Sequence, residues 1–133
     1  MALTIQSPLS PEMEKLAEVV VDCIFTVHNE LRAGLLESVY ETCLAWELAS
    51  RGLNVTRQIV LPITYRGRRL DDALRLDLVV EGQIIIEIKA VRHMDPIFKT
   101  QLITYLRLSN LRLGFLVNFN SILIRDGITR IVN

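Results

Sequence analysis

Residues 74–89 read LRLDLVVEGQIIIEIK, two short runs of apolar residues separated by Glu81, Gly82 and Gln83. Branched apolar residues on both sides of a glycine-containing turn predict a β-hairpin. Leu74, Leu76, Leu78 and Val80 then face one way, and Arg75, Asp77 and Val79 the other. In the second run Ile84, Ile86 and Ile88 oppose Ile85, Glu87 and Lys89. A three-residue connection makes Val80 face Ile84 and sets Asp77 directly opposite Glu87, about 5 Å away as cross-strand neighbours are. Lys89 follows on the same side.

Two carboxylates and an ammonium gathered in this way suit a metal-dependent phosphodiesterase. An exposed cross-strand ion cluster would use the same residue types, at less than about 1 kcal/mol per pair. The neighbours argue against that simpler reading. Val79 and Ile85 share the side of Asp77 and Glu87, which predicts a sheet covered on both faces, where an acidic pair is costly without a cation.

Outward from the hairpin, the period of the pattern changes. Ser10 can cap a helix opening at Pro11, and Leu16, Val19, Val20, Cys23, Ile24, Val27 and Leu31 recur at helical spacing. Gly34 interrupts it. A second helix from about Leu36 carries Val39, Tyr40, Cys43, Leu44, Leu48 and Ala49, and Gly52 supplies its C-terminal cap. VTRQIVLPITY at 55–65 is an extended segment with an edge or bulge at Pro62, and RGRR at 66–69 a turn. Pro96 opens a helix to about Leu108, with Ile97, Gln101, Tyr105 and Leu108 near one stripe. LRLGFLVNF returns to strand, and residues 122–124 and 128–132 are expected to form a terminal hairpin through Asp126-Gly127. The order predicts an α/β fold, a central mixed sheet flanked by helices.

The chain has 133 residues, half of them hydrophobic, which suits one compact domain over residues 1–133 with a real core. No apolar run is long enough for a membrane span or a secretory signal, so a cytoplasmic location and no membrane partner are expected. Cys23 and Cys43 lack the spacing of a zinc site or a disulfide framework and are expected as reduced, packed thiols. His28 is expected to pack or cap within the first helix, and His93 to border the site without a diagnostic partner.

Net charge is zero, which argues against nucleic-acid binding by bulk electrostatics alone. Its distribution is uneven, because residues 1–56 hold three basic against eight acidic side chains, and residues 57–133 twelve against seven. A basic sheet-rich part could focus a polyanion onto one face. Arg66, Arg68 and Arg69 could contact phosphates, or only keep a hairpin soluble.

GLLESVY at 34–40, with Gly34, Glu37 and Tyr40, resembles the signature of the GxxExxY proteins, a family of the PD-(D/E)XK nuclease superfamily. The likeness continues through RLD at 75–77, EIK at 87–89, QLITYL at 101–106, GFLVNFN at 114–120 and DGITRIVN at 126–133. The resemblance implies a restriction-endonuclease-like core and an active site of Glu37, Asp77, Glu87 and Lys89, with Gln101 as a polar helical residue beside it. Two departures stand out: Leu76 precedes Asp77 where the nominal pattern has proline, and Phe98 and Lys99 precede Gln101 where many relatives have a histidine.

On that resemblance Asp77, Glu87, the main-chain carbonyl of Ile88 and waters would hold Mg²⁺, with Mn²⁺ as substitute and Glu37 reaching the ion directly or through water. Lys89 would orient water and offset charge on the phosphoryl group. The function expected is hydrolysis of phosphodiester bonds, DNA ahead of RNA; the alternative is a nucleic-acid-binding accessory domain with little or no turnover. No base-reading motif is present. A domain of this size could need a homodimer to span a duplex. Tyr40 is left between packing against the sheet and offering its hydroxyl to the site, and Gln101 and Tyr105 between facing the cleft and serving the helix.

Overall fold

The computed structural model describes residues 8–133. In chain order these form helix α1 (Pro11–Leu31), helix α2 (Glu37–Ser50), strands β1 (Val55–Tyr65), β2 (Arg68–Val80) and β3 (Ile84–Lys89), helix α3 (Pro96–Ser109), strand β4 (Leu113–Asn118), a 3₁₀ turn (Ile124–Gly127) and strand β5 (Ile128–Val132). The five strands make one sheet in sequence order. β3 and β4 run parallel. Parallel neighbours need a crossover, which α3 supplies. The other neighbouring pairs are antiparallel.

Helices cover both faces, and each face has its own core. On one, Val20, Cys23, Ile24 and Val27 of α1 and Tyr40, Leu44 and Leu48 of α2 pack on Leu78, Val80, Ile84, Ile86, Ile88, Phe115 and Val117. On the other, Leu102 and Leu106 of α3 pack on Leu76, Val79, Ile85, Leu116 and Ile131. This is the mixed α/β architecture of a restriction-endonuclease-like core. No helix among the described residues is long and apolar enough to cross a membrane. Cys23 is buried and Cys43 half-buried, both free.

Local signals act where the residues place them. The Ser10 hydroxyl accepts from the Met13 amide at 3.1 Å, with Pro11 at the first helical position. Gly52 takes φ +80°, and the Gly52 and Leu53 amides close α2 on the Ala49 and Leu48 carbonyls. The β1–β2 register shifts between Leu61 and Ile63, the bulge expected at Pro62, which lies on an edge strand of the sheet.

Three expectations are corrected. β2 begins at Arg68, so Arg68 and Arg69 belong to the strand and the turn is Arg66-Gly67 alone. Residues 122–124 form no strand. Ile124 is buried at the start of a 3₁₀ turn, Ile122 and Leu123 are exposed, and β5 pairs with β4 instead. The buried stripe of α3 is Leu102 and Leu106, flanked by half-buried Phe98 and Tyr105, which leaves Ile97, Gln101 and Leu108 exposed.

Candidate active site

The β2–β3 connection has the expected length. Val80 pairs with Ile84, Val79 with Ile85 and Leu78 with Ile86, after a turn in which Glu81 and Gly82 take φ of 53° and 63°. The ladder ends there. At the next position the carboxylates take over the backbone donors: the Asp77 amide donates to Glu87 Oε1 at 3.1 Å, and the Ile88 amide donates to Asp77 Oδ2 at 2.9 Å. Each acid is thus fixed by the other's strand, and the two strands fork around the pair.

β2 also departs from strict alternation at this point. Leu76 packs in the core beneath α3 together with Val79, rather than with Leu78 and Val80 as expected. Asp77 lies at the change of face. On the other side of β2 the pairing with β1 passes from Arg57–Leu78 to Ile59–Leu76, and Gln58, between them, has φ +49°. A left-handed conformation at a non-glycine residue inside a strand costs of order 1–3 kcal/mol and persists only where its surroundings hold it. The Gln58 side-chain Nε2 donates to Glu41 Oε1 at 2.5 Å, and Arg57 donates to Glu41 Oε2 at 3.1 Å. Glu41 is almost fully buried between them.

Glu37 opens α2 one turn before Glu41. Leu36, Glu37, Ser38, Glu41, Gln58 and Asp77 line a cleft of about 400 Å³. Although exposed, the Glu37 carboxyl is pushed above its ordinary range, first by partial burial and then by Asp77 and Glu41, with Lys89 acting in the opposite direction. Glu37, Asp77 and Lys89 therefore lie within electrostatic reach of one another.

Glu87 is the most perturbed carboxyl of this group. Burial first, and the Asp77 carboxylate second, push it up to about 8, against the Asp77 amide and Lys89, which favour its ionised form. Tyr105, on α3, is pushed up by partial burial and then by Glu87 and Asp77. The residue of α3 that answers the acids is thus Tyr105, while Gln101, one turn earlier, is exposed. Lys89 Nζ sits 4.4 Å from the centre of the Phe98 ring. Phe98, at the start of α3, therefore carries the lysine on its face.

The GLLESVY tyrosine has a different task. Tyr40 is fully buried, stacked on Phe119 with ring centroids 4.7 Å apart. Its hydroxyl donates to the Arg32 carbonyl and accepts from the Leu35 amide at 3.0 Å, tying the α1–α2 connection to the core two residues before Glu37. Tyr40→Phe is expected to leave two backbone groups short of a partner and to lower stability by about 1–3 kcal/mol. A lower urea midpoint with unchanged slope would show it. His28 is also buried, its Nε2 2.8 Å from the Ser121 carbonyl oxygen, and His93 is exposed.

Gln58 and the buried role of Glu41 were not anticipated. Glu41 carried a weak signal in its four-residue spacing from Glu37. Gln58 carried none.

Among the described residues no group of three or more His, Cys, Asp or Glu side chains is arranged to hold a metal ion. What the fold brings together is the pair Asp77 and Glu87, with Lys89 beside it and Glu37 along the cleft. The pair still suits a hard divalent cation, because oxygen donors match Mg²⁺ or Mn²⁺ and a buried carboxyl raised by its acidic neighbour is relieved by positive charge.

A mixed five-stranded sheet with helices on both faces, carrying an Asp, a Glu and a Lys at a fork between two strands, defines a restriction-endonuclease-like protein. The family model of the PD-(D/E)XK nuclease superfamily matches residues 14–131, and the chain belongs to that superfamily. No curated protein and no solved structure gives a significant match to it.

Proposed function

We propose that the protein is a metal-dependent nuclease that hydrolyses phosphodiester bonds, with DNA ahead of RNA as substrate. The observation that supports this best is the interlocked pair of Asp77 and Glu87, with Glu87 raised to about 8 and Lys89 held next to it. A solvated ion cluster would show neither the burial nor the exchange of backbone donors.

Asp77 Oδ1 and Glu87 Oε2, the carboxylate oxygens not taken by those amides, would hold Mg²⁺ or Mn²⁺ together with the Ile88 carbonyl, and Glu37 would close on it from α2. The bound ion would supply Lewis-acid polarisation of a phosphate oxygen and a more acidic water. Lys89 would set its ammonium against the charge that grows on the phosphoryl group, and the Phe98 face limits the directions it can take. Tyr105 offers a hydroxyl on the α3 side. Gln101 would take part only by reaching in from the exposed side of α3.

Within the superfamily we assign the chain to the GxxExxY kind, on Gly34, Glu37 and Tyr40. A cytoplasmic location and an isologous homodimer on long duplexes belong to the same proposal. The second reading, a nucleic-acid-binding module with little turnover, is favoured by one observation, the lack among the described residues of a ready three-carboxylate cluster. The two separate in a Mg²⁺/Mn²⁺ cleavage assay over single-stranded, duplex, nicked, flap and branched DNA and RNA. Cleavage by wild type that disappears in folded Asp77→Ala supports the nuclease. Binding without cleavage across the panel supports the module.

A further inference from the structure

β1 and β2 continue well beyond the rest of the sheet. β3 pairs with β2 only over Leu78–Val80, whereas β1 stays paired with β2 out to Tyr65 and Arg68. Residues 64–72 are all exposed, so the far end of this hairpin is a two-stranded ribbon with neither face covered. It closes through Arg66 and Gly67 at φ of 47° and 77°, the two left-handed positions of a tight hairpin turn. A two-stranded ribbon on its own is marginally stable, and this part adds nothing to either core.

What the ribbon presents is positive charge beside an aromatic ring. Arg66, Arg68 and Arg69 cluster at its end. Tyr65 is 64% exposed, with the Arg66 guanidinium 5.6 Å from its ring centre. Arg69 is paired with Asp71 at 2.6 Å, while among the described residues Arg66 and Arg68 have no carboxylate partner. Elsewhere the basic part of the chain is partly neutralised, Arg57 by Glu41 and Arg130 by Glu14.

We propose that this ribbon is an arm that grips the phosphate backbone of a DNA duplex some way along from the bond at Asp77 and Glu87. The proposal rests on the nuclease reading for its anchor point. Two steps of β1 from Leu61 to Ile63 match four of β2 from Leu74 to Leu70, so the shorter strand sets the reach. From Gln58, level with Asp77, to Tyr65, paired with Arg68, that reach is roughly 23 Å at about 3.3 Å per residue. Successive phosphates of a B-form strand rise about 3.4 Å, so a duplex with one phosphodiester at the carboxylate pair meets the arginines roughly seven base pairs away. Arginine suits that contact, because its planar fork matches phosphate oxygens.

The test uses the whole chain and labelled, hairpin-closed duplexes of about 5, 12, 16 and 24 base pairs, the shortest being less than the reach of the arm. Binding is measured without divalent metal across a salt series, and cleavage with Mg²⁺ or Mn²⁺ in parallel. The variant is Arg66→Asn with Arg68→Gln, asparagine being at ease at positive φ; Arg68→Gln alone leaves the turn untouched. Wild type is expected to gain affinity between about 5 and 12 base pairs beyond what the double variant gains. The double variant should lose about tenfold on long duplexes and nothing on the shortest, and its salt slope should fall by about 2, or about 1 for Arg68→Gln.

Equal length dependence in wild type and variant, or unchanged salt slopes, would overturn the arm. So would a ribbon that pairs two copies, seen as dimers abolished by Leu70→Asp while the arginine variant binds every length as wild type does. Length-dependent binding lost in the variant, with no cleavage by wild type, keeps the arm and overturns the nuclease reading alone.

Discussion

Lys89→Ala will lower phosphodiester cleavage by about 10²–10³-fold while the protein stays folded, the usual loss when one preorganised electrostatic group is removed from a reacting centre. Asp77→Ala will lower it at least as far, because it removes an oxygen donor and also frees the Ile88 amide that Asp77 Oδ2 holds. Lys89 is half-buried at the end of β3 with its ammonium over Phe98, so its loss leaves the two cores intact. Initial rates on the best substrate of the panel, with far-ultraviolet circular dichroism on each variant, check both. Cleavage by Lys89→Ala within a few-fold of wild type would remove the lysine from the chemistry and return it to a surface contact.

In metal-free solution, stability will fall as pH rises from about 4.5 to about 8, and Glu87→Gln will remove most of that fall. The sign follows from the proton count. With the folded Glu87 raised to about 8 and the unfolded group near its ordinary value of 4.5, the folded state retains a proton in this window that the unfolded state has released. Unfolding then releases a proton, and stability declines with pH until the folded group also ionises. The full effect is on the order of a few kcal/mol. Glu87→Gln should therefore be the more stable protein at pH 8 without metal. Mg²⁺ should stabilise wild type more as pH rises, since it competes with that proton, and should do little for the variant. Urea unfolding at several pH values, with and without Mg²⁺, reads both; parallel profiles for the two proteins would show that Glu87 carries no such burden.

The hairpin at 74–89 was legible because its two apolar runs and its three-residue turn agree on one register, although β2 leaves its period of two at Leu76. The apposition of Asp77 and Glu87 follows from that alone. The caps at Ser10 and Gly52 and the bulge at Pro62 were equally plain, each resting on a residue with restricted or special backbone freedom. What was hidden depends on tertiary choices between similar local options. α3 has apolar residues at 97, 98, 102, 103, 106 and 108, enough for two overlapping stripes, and only contact with Val79, Ile85 and Leu116 selects the one containing Leu102 and Leu106. Asp126-Gly127 carries a turn signal, but burial of Ile124 turns the segment into a 3₁₀ turn and hands Ile128–Val132 to β4. Gln58 gives no hint in its residue type of a left-handed backbone, because the conformation is imposed by Glu41 and by the fork on the far side of Asp77.

The three residues between Val80 and Ile84 have a hereditary consequence. Inserting or deleting one of them would rotate β3 by a half-step against β2, so that Ile86 and Ile88 would enter the cleft while Glu87 and Lys89 would be driven into the core beneath α1 and α2. Such a change would destroy the chemistry and the packing together. The number of residues in this turn is therefore fixed more tightly than the identity of Gln83, while Glu81 is also held by its φ of 53° and by the 2.7 Å bond its Oε2 accepts from the Asn54 amide. The length of a turn set apart from the carboxylate pair is thereby held by the same requirement as the pair itself.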